Sequence, residues 1–276
     1  MTTQVEKNPT KVEKLSSVQM AEFVSDGYLR FDELVPQDLC ERALEEIREG
    51  TFRGDIYRFF GKKLSEVWQN SVMSEIVNLP RFAGAIESLV GPDPYFDHYC
   101  AHQVSPGEIR HADLHQDAEF DTRFNAFDIQ YSIFFHDVTK EMGGTLFVPG
   151  THFRPVRVFG IRRYHHIMGS VPSVAKGGTV IFWHHNLWHS ARSNRTDKLR
   201  TMFKTRLNPS VPQVQLWDTS DLQDPQIRSI LSRGQPWMAH EQRAEIINRI
   251  KLWRALTGDP EYDITGWVTR AERGTF

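Results

Sequence analysis

The residues best suited to chemistry in this sequence are histidines that stand close to a carboxylate. His115 and Asp117 are two positions apart, so an extended backbone directs both side chains to the same side, within reach of one metal ion. Histidine is the commonest metal ligand because its neutral imidazole offers a lone pair at ordinary pH. A histidine and an aspartate at this spacing often occur by chance, so a further ligand is needed before the motif indicates a metal site.

Candidates for the further ligand follow a predicted strand later in the chain. The run 177–183 predicts a strand that leads to His184 and His185 and then to His189. Neighbouring residues on a strand face opposite sides, so we expect at most one of His184 and His185 to face a shared cavity. Spacing alone leaves all three histidines open as the third ligand.

An arginine follows these histidines in another run that is typical of a strand. Arg200 lies eleven residues after His189. Two histidines and one carboxylate on an octahedral ion leave three adjacent positions open, which is the arrangement of non-haem Fe(II) oxygenases. An arginine one strand away can then pair through two nitrogens with a carboxylate of a co-substrate. The pattern therefore favours a redox metal site that also binds a small anion.

The stretch 115–206 resembles the phytanoyl-CoA dioxygenase family of Fe(II)- and 2-oxoglutarate-dependent oxygenases. The matching segments are His115-Gln116-Asp117, the run 131–138 leading into 143–152, and the run 187–194 with Arg200. A predicted opening helix that ends at Asp26-Gly27-Tyr28 is also similar to the start of this family. These features together cover most of the chain up to residue 210, so they are more specific than any single motif.

The resemblance implies a fold, a cofactor set and a reaction. The fold is mainly β with flanking helices, built on a double-stranded β-helix, a jelly roll of the cupin kind. Iron is held by His115, Asp117 and His189, and Arg200 binds the distal carboxylate of 2-oxoglutarate. The implied reaction uses Fe(II), 2-oxoglutarate and O2 to hydroxylate, or otherwise oxidise, an unactivated C–H bond of a small molecule, with release of succinate and CO2. Asp117 favours oxygenation, because related halogenases carry Gly or Ala in its place.

One position departs from the family pattern. The family usually carries a hydroxyl two residues after the second histidine, whereas this chain has Ala191 with Ser190 beside it. Ser190 is therefore a secondary candidate for contact with the co-substrate. His102 is another, because it shares a strand face with His98 and can line the 2-oxoglutarate pocket, although a packed core histidine is the alternative for both.

The elements that must position these residues change character along the chain. We expect one oxygenase domain over 1–276, with a loose arm at 1–14, a mostly helical part at 15–94, a β-helix core at 95–210 and a helical extension at 211–276. Ser16 and Gln19 have the spacing of a helix capping box, and Gly27 marks the end of that helix. Predicted strands in the core are 95–104, 127–138, 144–150, 179–185 and 200–207.

Composition narrows the class of protein. The 276 residues include 33 Lys plus Arg and 35 Asp plus Glu, a net charge of −2, so no general field favours nucleic acid or anionic lipid. The two cysteines form no disulfide framework, and no run is long enough for a membrane span. We therefore expect a cytoplasmic protein whose partner is a small-molecule substrate, with no nucleic acid and no membrane. Family members act on acyl-CoA esters, amino-acid-like solutes and natural products, and no segment selects among them.

Two other functions remain open on the residues alone. A cupin-type jelly roll can use the same histidines to hold zinc or nickel, or bind a small molecule, without oxygenase activity. A zinc hydrolase is a weaker alternative, because the sequence has neither an H-E-x-x-H motif nor paired C-x-x-C motifs.

Overall fold

The structure is a computed structural model that describes residues 11–109, 112–118, 121, 123, 125–154, 158–164 and 167–273. Its helices are α1 (Ser17–Asp26), α2 (Gln37–Glu49), α3 (Val72–Val77), α4 (Pro80–Val90), α5 (Val158–Ile161), α6 (Pro225–Leu231), α7 (Ala239–Thr257) and α8 (Trp267–Arg273), with 3-10 turns at Leu64–Glu66 and Thr151–Phe153. Its strands are β1 (Tyr28–Phe31), β2 (Tyr95–Val104), β3 (Ile129–Phe134), β4 (Thr145–Phe147), β5 (Val171–Pro172), β6 (Thr179–His184), β7 (His189–Ala191) and β8 (Arg200–Asn208).

The first helix begins and ends where the sequence predicts, and the second has equally well-defined ends. Ser16 and Gln19 form the expected capping box of α1, and Gly27 closes that helix with a left-handed backbone. α2 follows Pro36 and ends at Gly50, again in the left-handed conformation. Among the described residues, no helix combines the length and apolar character that crossing a membrane requires.

Two antiparallel sheets form the core. The larger sheet has the strand order β1-β6-β3-β8-β2, and the smaller has the order β5-β4-β7. Alternation along the strands divides the larger sheet into two faces. One face packs against the helices, as where Phe82 of α4 makes edge contacts with Tyr131 and Phe182. The other face carries Trp183 and Arg200, which line a cavity together with Thr145 of the smaller sheet. The expected double-stranded β-helix with flanking helices is confirmed.

The strands of the smaller sheet are shorter than the sequence suggests. β4 has three residues, although the run 144–150 reads as a strand, and the sequence patterns do not reveal β5 and β7 as strands. Sequence periodicity needs more residues than such short strands contain.

The described part of the expected loose arm makes an ordered contact, because the Glu13 amide donates to the Pro80 carbonyl at 3.0 Å.

His152 is a buried histidine that couples the fold to pH. Its Nε2 donates to the Val24 carbonyl at 3.1 Å, which ties the turn after β4 to α1. Burial, assisted by the charge of Arg249, lowers the pKa of His152 to about 3. The folded chain therefore keeps this ring neutral over a range in which the unfolded chain protonates it.

We expect this difference in pKa to make acidification destabilising. Above the ordinary histidine pKa of 6.5 the contribution of His152 to stability is complete, and it declines as the pH falls from there toward about 3. Between pH 7 and pH 5 one such group lowers the free energy of unfolding by about 2 kcal/mol. Denaturant unfolding of the native chain and of His152→Gln across this range measures the effect. Parallel curves for the two proteins would contradict it.

Candidate metal centre

Three side chains that are distant in the sequence meet beside the cavity. His115 and His189 form an antiparallel backbone bridge with N–O distances of 3.0 and 2.9 Å, which places their ring centroids 4.3 Å apart. Asp117 lies close to both rings. One potential ligand atom from each of the three residues lies within 4.8 Å of the other two. The expected extended segment at His115 is thus a single bridge, and it still directs both side chains to one point.

The donor atoms face a common position. Asp117 Oδ1 lies 3.4 Å from His115 Nε2 and 3.7 Å from His189 Nε2. Nδ1 of His115 donates to the Asp113 carbonyl at 2.7 Å, and Nδ1 of His189 donates to the Leu187 carbonyl at 2.9 Å. Because Nδ1 carries the proton in both rings, each Nε2 presents its lone pair. Two imidazole nitrogens and one carboxylate oxygen are a donor set that fits a divalent transition metal.

The protonation states of His189 and Asp117 suit metal binding, whereas His115 holds its proton more tightly than an ordinary histidine. Burial lowers the pKa of His189 to about 3, so this ring is neutral at neutral pH. Burial also acts to lower the pKa of His115, but the Asp117 carboxylate and the Asp113 carbonyl stabilise its protonated form and raise that pKa. Metal binding at His115 would therefore release the proton from Nε2. Burial acts to raise the pKa of Asp117, but His189, His115 and Lys204 hold it well below its usual range. The carboxylate is therefore ionised.

Two side chains of the larger sheet contact the second carboxylate oxygen of Asp117, Oδ2. Gln130 Nε2 of β3 donates to Oδ2, and Lys204 Nζ of β8 lies 3.0 Å from the same atom. Oδ1, by contrast, faces the two histidines. The two oxygens of this carboxylate thus have separate surroundings.

A cavity of about 150 Å³ opens beside the two histidines. Both sheets contribute to its walls, which are lined by His102, Val104, Ala112, His115, Ser132, Phe134, Thr145, Trp183, His189, Ala191, Arg200, Met202 and Lys204. The lining combines apolar side chains with polar groups that converge on the cavity, which is typical of a small-molecule site.

Arg200 contributes a buried positive charge to this cavity. Its guanidinium donates from Nη1 to the carbonyls of Met142 at 2.7 Å and Arg192 at 2.8 Å, and the residue is 5% exposed. Burial lowers the pKa of Arg200 to about 10, so the group stays charged at neutral pH. Both hydrogen bonds use Nη1, so within the described part of the chain Nε and Nη2 are left to a ligand.

The turn before β4 shapes the arginine end of the cavity. Gly143 has a φ of +90°, and a Cβ there would lie 3.1 Å from Arg200 Nη1. Thr145 pairs across the ladder with Ala191 and lines the cavity, so its hydroxyl, which donates to Met202 Sδ at 3.6 Å, lies opposite the position where the expected one is missing. Ser190 is not among the lining residues, because alternation along β7 turns it away from the side that carries His189 and Ala191. The geometry therefore does not favour the expected contact of Ser190 with a co-substrate.

The two histidines of β2 have different surroundings. His102 lines the cavity and is exposed, so the alternative of a packed core histidine is wrong for it. His98 Nδ1 lies 2.6 Å from Asp97 Oδ1, and its ring packs beside Tyr57. Three further histidines of the sequence lie outside the described residues, namely His111, His165 and His166.

The expectation that His184 and His185 face opposite sides of a strand is wrong. β6 ends at His184, so strand alternation stops there, and the two rings stack with centroids 4.6 Å apart. The His184 ring packs against Phe127, and His185 Nε2 lies 2.9 Å from Asp121 Oδ2. Neither ring belongs to the cluster of His115, Asp117 and His189. Spacing left three histidines open as the third ligand, and the structure brings His189 to Asp117.

A second, larger cavity lies between the end of β6 and the C-terminal helices. Its volume is about 1210 Å³, and it shares no lining residue with the small cavity. Asp121, Arg123 and residues 125–127 form one side, and Lys251 of α7 and Arg273 of α8 lie on the other. The small cavity and the large one are therefore separate cavities.

Sequence reasoning missed three side chains that the structure places at the site. Lys204 was detectable in principle, because it stands four residues after Arg200 on a predicted strand and so shares its face. Gln130 and Thr145 gave no such indication. Their positions depend on the pairing of β3 with β8 and of β4 with β7, and no single segment contains that register.

Known proteins share this architecture. The crystal structure of the non-haem α-ketoglutarate-dependent epimerase SnoN from nogalamycin biosynthesis is 20% identical, with a TM-score of 0.55 over 70% of this chain and 82% of that one. EctD from S. alaskensis is 21% identical, with a TM-score of 0.56 over 74% and 82% of the two chains. Iron-bound HygX from Streptomyces hygroscopicus is 14% identical, with a TM-score of 0.55 over 78% and 94%.

Family assignment rests on the sequence itself. No curated protein matches the chain. The family model for phytanoyl-CoA dioxygenase (PhyH) matches residues 23–202, well over half of the chain, and that range contains His115, Asp117, His189 and Arg200. The chain therefore belongs to the phytanoyl-CoA dioxygenase (PhyH) family.

Proposed function

We propose that this chain is an Fe(II)- and 2-oxoglutarate-dependent dioxygenase that hydroxylates an unactivated C–H bond of a small molecule and releases succinate and CO2. The observation that carries the proposal is the meeting of His115, Asp117 and His189 beside a cavity that also contains the buried charge of Arg200. Among the solved structures of similar fold is SnoN in complex with Fe3+ and α-ketoglutarate.

The protein's contribution is placement of the reactants. When bound, iron and 2-oxoglutarate would activate O2, which is the oxidant of the reaction, and 2-oxoglutarate would supply two of the four electrons that O2 accepts. His115, Asp117 and His189 would hold the metal through three donors and leave three adjacent positions open. Arg200 would bind the far carboxylate of 2-oxoglutarate through its free guanidinium N–H groups.

The size and lining of the small cavity suit the co-substrate. Its volume of about 150 Å³ is close to that of a cavity that holds one benzene molecule, so it accepts a compact ligand rather than an acyl-CoA ester. Phe134 and Trp183 form apolar walls that would limit the access of water to a bound carboxylate. The substrate to be oxidised would then approach the metal from outside this cavity.

Thr145 would supply the hydroxyl that position 191 lacks. We expect Thr145→Val to weaken 2-oxoglutarate binding roughly 2- to 12-fold, or a net of about 0.5–1.5 kcal/mol, because the hydroxyl would exchange its hydrogen bond to Met202 Sδ for one to the ligand. Because Thr145 and Ala191 are cross-strand partners, adding Ala191→Ser to the Thr145→Val variant should restore most of the loss. Calorimetric titration of the metal-loaded variants measures both effects. Equal affinities for the native chain and Thr145→Val would remove Thr145 from the co-substrate site.

Succinate release tests the proposed activity. The purified chain is incubated with Fe(II), ascorbate, O2 and 2-oxoglutarate, and succinate is measured with and without candidate substrates. Acyl-CoA esters, amino-acid-like solutes and natural products are the three classes to screen, and stimulation of succinate release marks the substrate class. A chain that binds zinc or nickel tightly and releases no succinate under any condition would instead be a cupin-type binding protein.

A further inference from the structure

We propose that Gln130 and Lys204 act as a clamp on the outer oxygen of Asp117, so that this carboxylate offers only Oδ1 to the metal. The inference rests on the proposed metal site. It assigns to two residues of the larger sheet the task of keeping the iron's open positions free.

The clamp reaches Asp117 from two paired strands. Lys204 of β8 pairs with Ser132 of β3, and Gln130 lies two residues from Ser132, so the two side chains are diagonal neighbours on the cavity face. Gln130 Nε2 donates to Asp117 Oδ2, and Lys204 Nζ lies 3.0 Å from the same oxygen. Two donors from adjacent strands thus determine the rotation of the carboxylate.

Gln130 has a side chain whose only described hydrogen bond is the one to Asp117. The residue is fully buried, and its Oε1 has no hydrogen-bond partner among the residues that the structure describes. An apolar side chain of similar size would fill this space without burying an unpaired acceptor. The amide is therefore accounted for by the hydrogen bond that it donates to Asp117.

Lys204 also forms an ion pair with the Asp117 carboxylate. Its side chain is 11% exposed, and within the described part of the chain its ion pair is with Asp117. The ammonium also lies 5.6 Å from the ring centroid of Trp183, which flanks it on the cavity side. A buried ammonium group requires a partner of opposite charge, and Asp117 Oδ2 supplies it.

A single donor oxygen has a consequence for the reaction. Two histidines and one carboxylate oxygen leave three positions of an octahedral metal, which suffice for a two-point chelate and O2. If both oxygens of Asp117 bound the metal, only two positions would remain. Holding Oδ2 away from the metal therefore protects the position that the co-substrate or O2 needs.

Cobalt(II) binding tests the clamp without turnover. Co(II) is added to the native chain, Lys204→Met, Lys204→Arg and Gln130→Met, with Lys198→Met as a control because Lys198 is exposed. The visible spectrum is recorded before any 2-oxoglutarate is present, and the affinity for 2-oxoglutarate is then measured. We expect Lys204→Met to bind Co(II) with an altered spectrum and to bind 2-oxoglutarate at least about 10-fold more weakly. Lys204→Arg and Lys198→Met should resemble the native chain.

The outcomes separate the clamp from other roles. An unaltered Co(II) spectrum in Lys204→Met, together with weaker 2-oxoglutarate binding, would make Lys204 a direct ligand of the co-substrate and overturn the clamp. Identical behaviour of all variants would also overturn it. If Lys204→Met does not fold, Gln130→Met decides by the same spectrum. If the native chain binds Co(II) no better than Asp117→Ala, the proposed metal site is wrong, and the clamp, which rests on it, is overturned with it.

Discussion

Replacement of Asp117 by Ala is expected to weaken metal binding at the site more than about 100-fold and, with it, to remove most of the 2-oxoglutarate-dependent release of succinate. Asp117 supplies the anionic donor, with Oδ1 3.4 Å from His115 Nε2 and 3.7 Å from His189 Nε2. Loss of an outer partner of a metal ligand already costs about 10- to 100-fold in affinity or activity, so loss of the ligand itself should cost more than about 100-fold. Metal content after dialysis and succinate formation measure the two effects.

A matched control separates this role from general destabilisation. Asp38 is an exposed aspartate in the first turn of α2, and Asp38→Ala should retain native metal content and activity. The removal of Asp117 also leaves Lys204 without its ion pair, so thermal unfolding of the metal-free proteins should accompany the comparison. Undiminished turnover in a folded Asp117→Ala protein would show that the chemistry takes place elsewhere.

Replacement of Arg200 by Ala is expected to weaken 2-oxoglutarate binding roughly 10- to 150-fold. The estimate follows from the loss of a charge-assisted hydrogen-bonded pair worth about 1.5–3 kcal/mol. Metal affinity should change little, because Arg200 is not among the residues that form the ligand cluster. Titration of the metal-loaded variant with 2-oxoglutarate gives the affinity, and metal content gives the control value.

The conservative variant tests the geometry of the interaction. Arg200→Lys keeps the charge but loses the planar arrangement of donors, so we expect an affinity between those of the native chain and Arg200→Ala. Arg195 is exposed and offers a matched Arg→Ala control that should bind 2-oxoglutarate normally. An affinity in Arg200→Ala equal to that of the native chain would assign the carboxylate to another residue.

The candidate site was accessible from the sequence because its main residues lie in short, recognisable segments. The prediction from the spacing of His115 and Asp117 holds even though the structure has an isolated bridge at His115 and not a strand. A short extended segment is enough to direct both side chains to the same side. Arg200 begins a long, regular strand, so its face could be predicted from alternation. Helix α1 has both of its end residues marked in the sequence and was equally predictable.

The parts that escaped prediction depend on contacts between distant segments. His184 and His185 stand at the end of β6, where the chain turns, so alternation no longer determines the direction of their rings. Gln130 and Lys204 reach one atom of Asp117 only because β3 and β8 pair in one register. Thr145 faces Ala191 for the same kind of reason, in a sheet whose strands are too short to show a period.

An anaerobic titration of the Fe(II)-loaded chain with 2-oxoglutarate tests the central claim most directly. We predict a weak visible absorption band that grows with added 2-oxoglutarate and saturates at one molecule per chain. The same titration of Asp117→Ala should remain colourless, and Arg200→Ala should need a higher concentration to reach the same band. A native chain that stays colourless at saturating 2-oxoglutarate, although it holds a bound metal, would contradict the oxygenase and favour a binding protein.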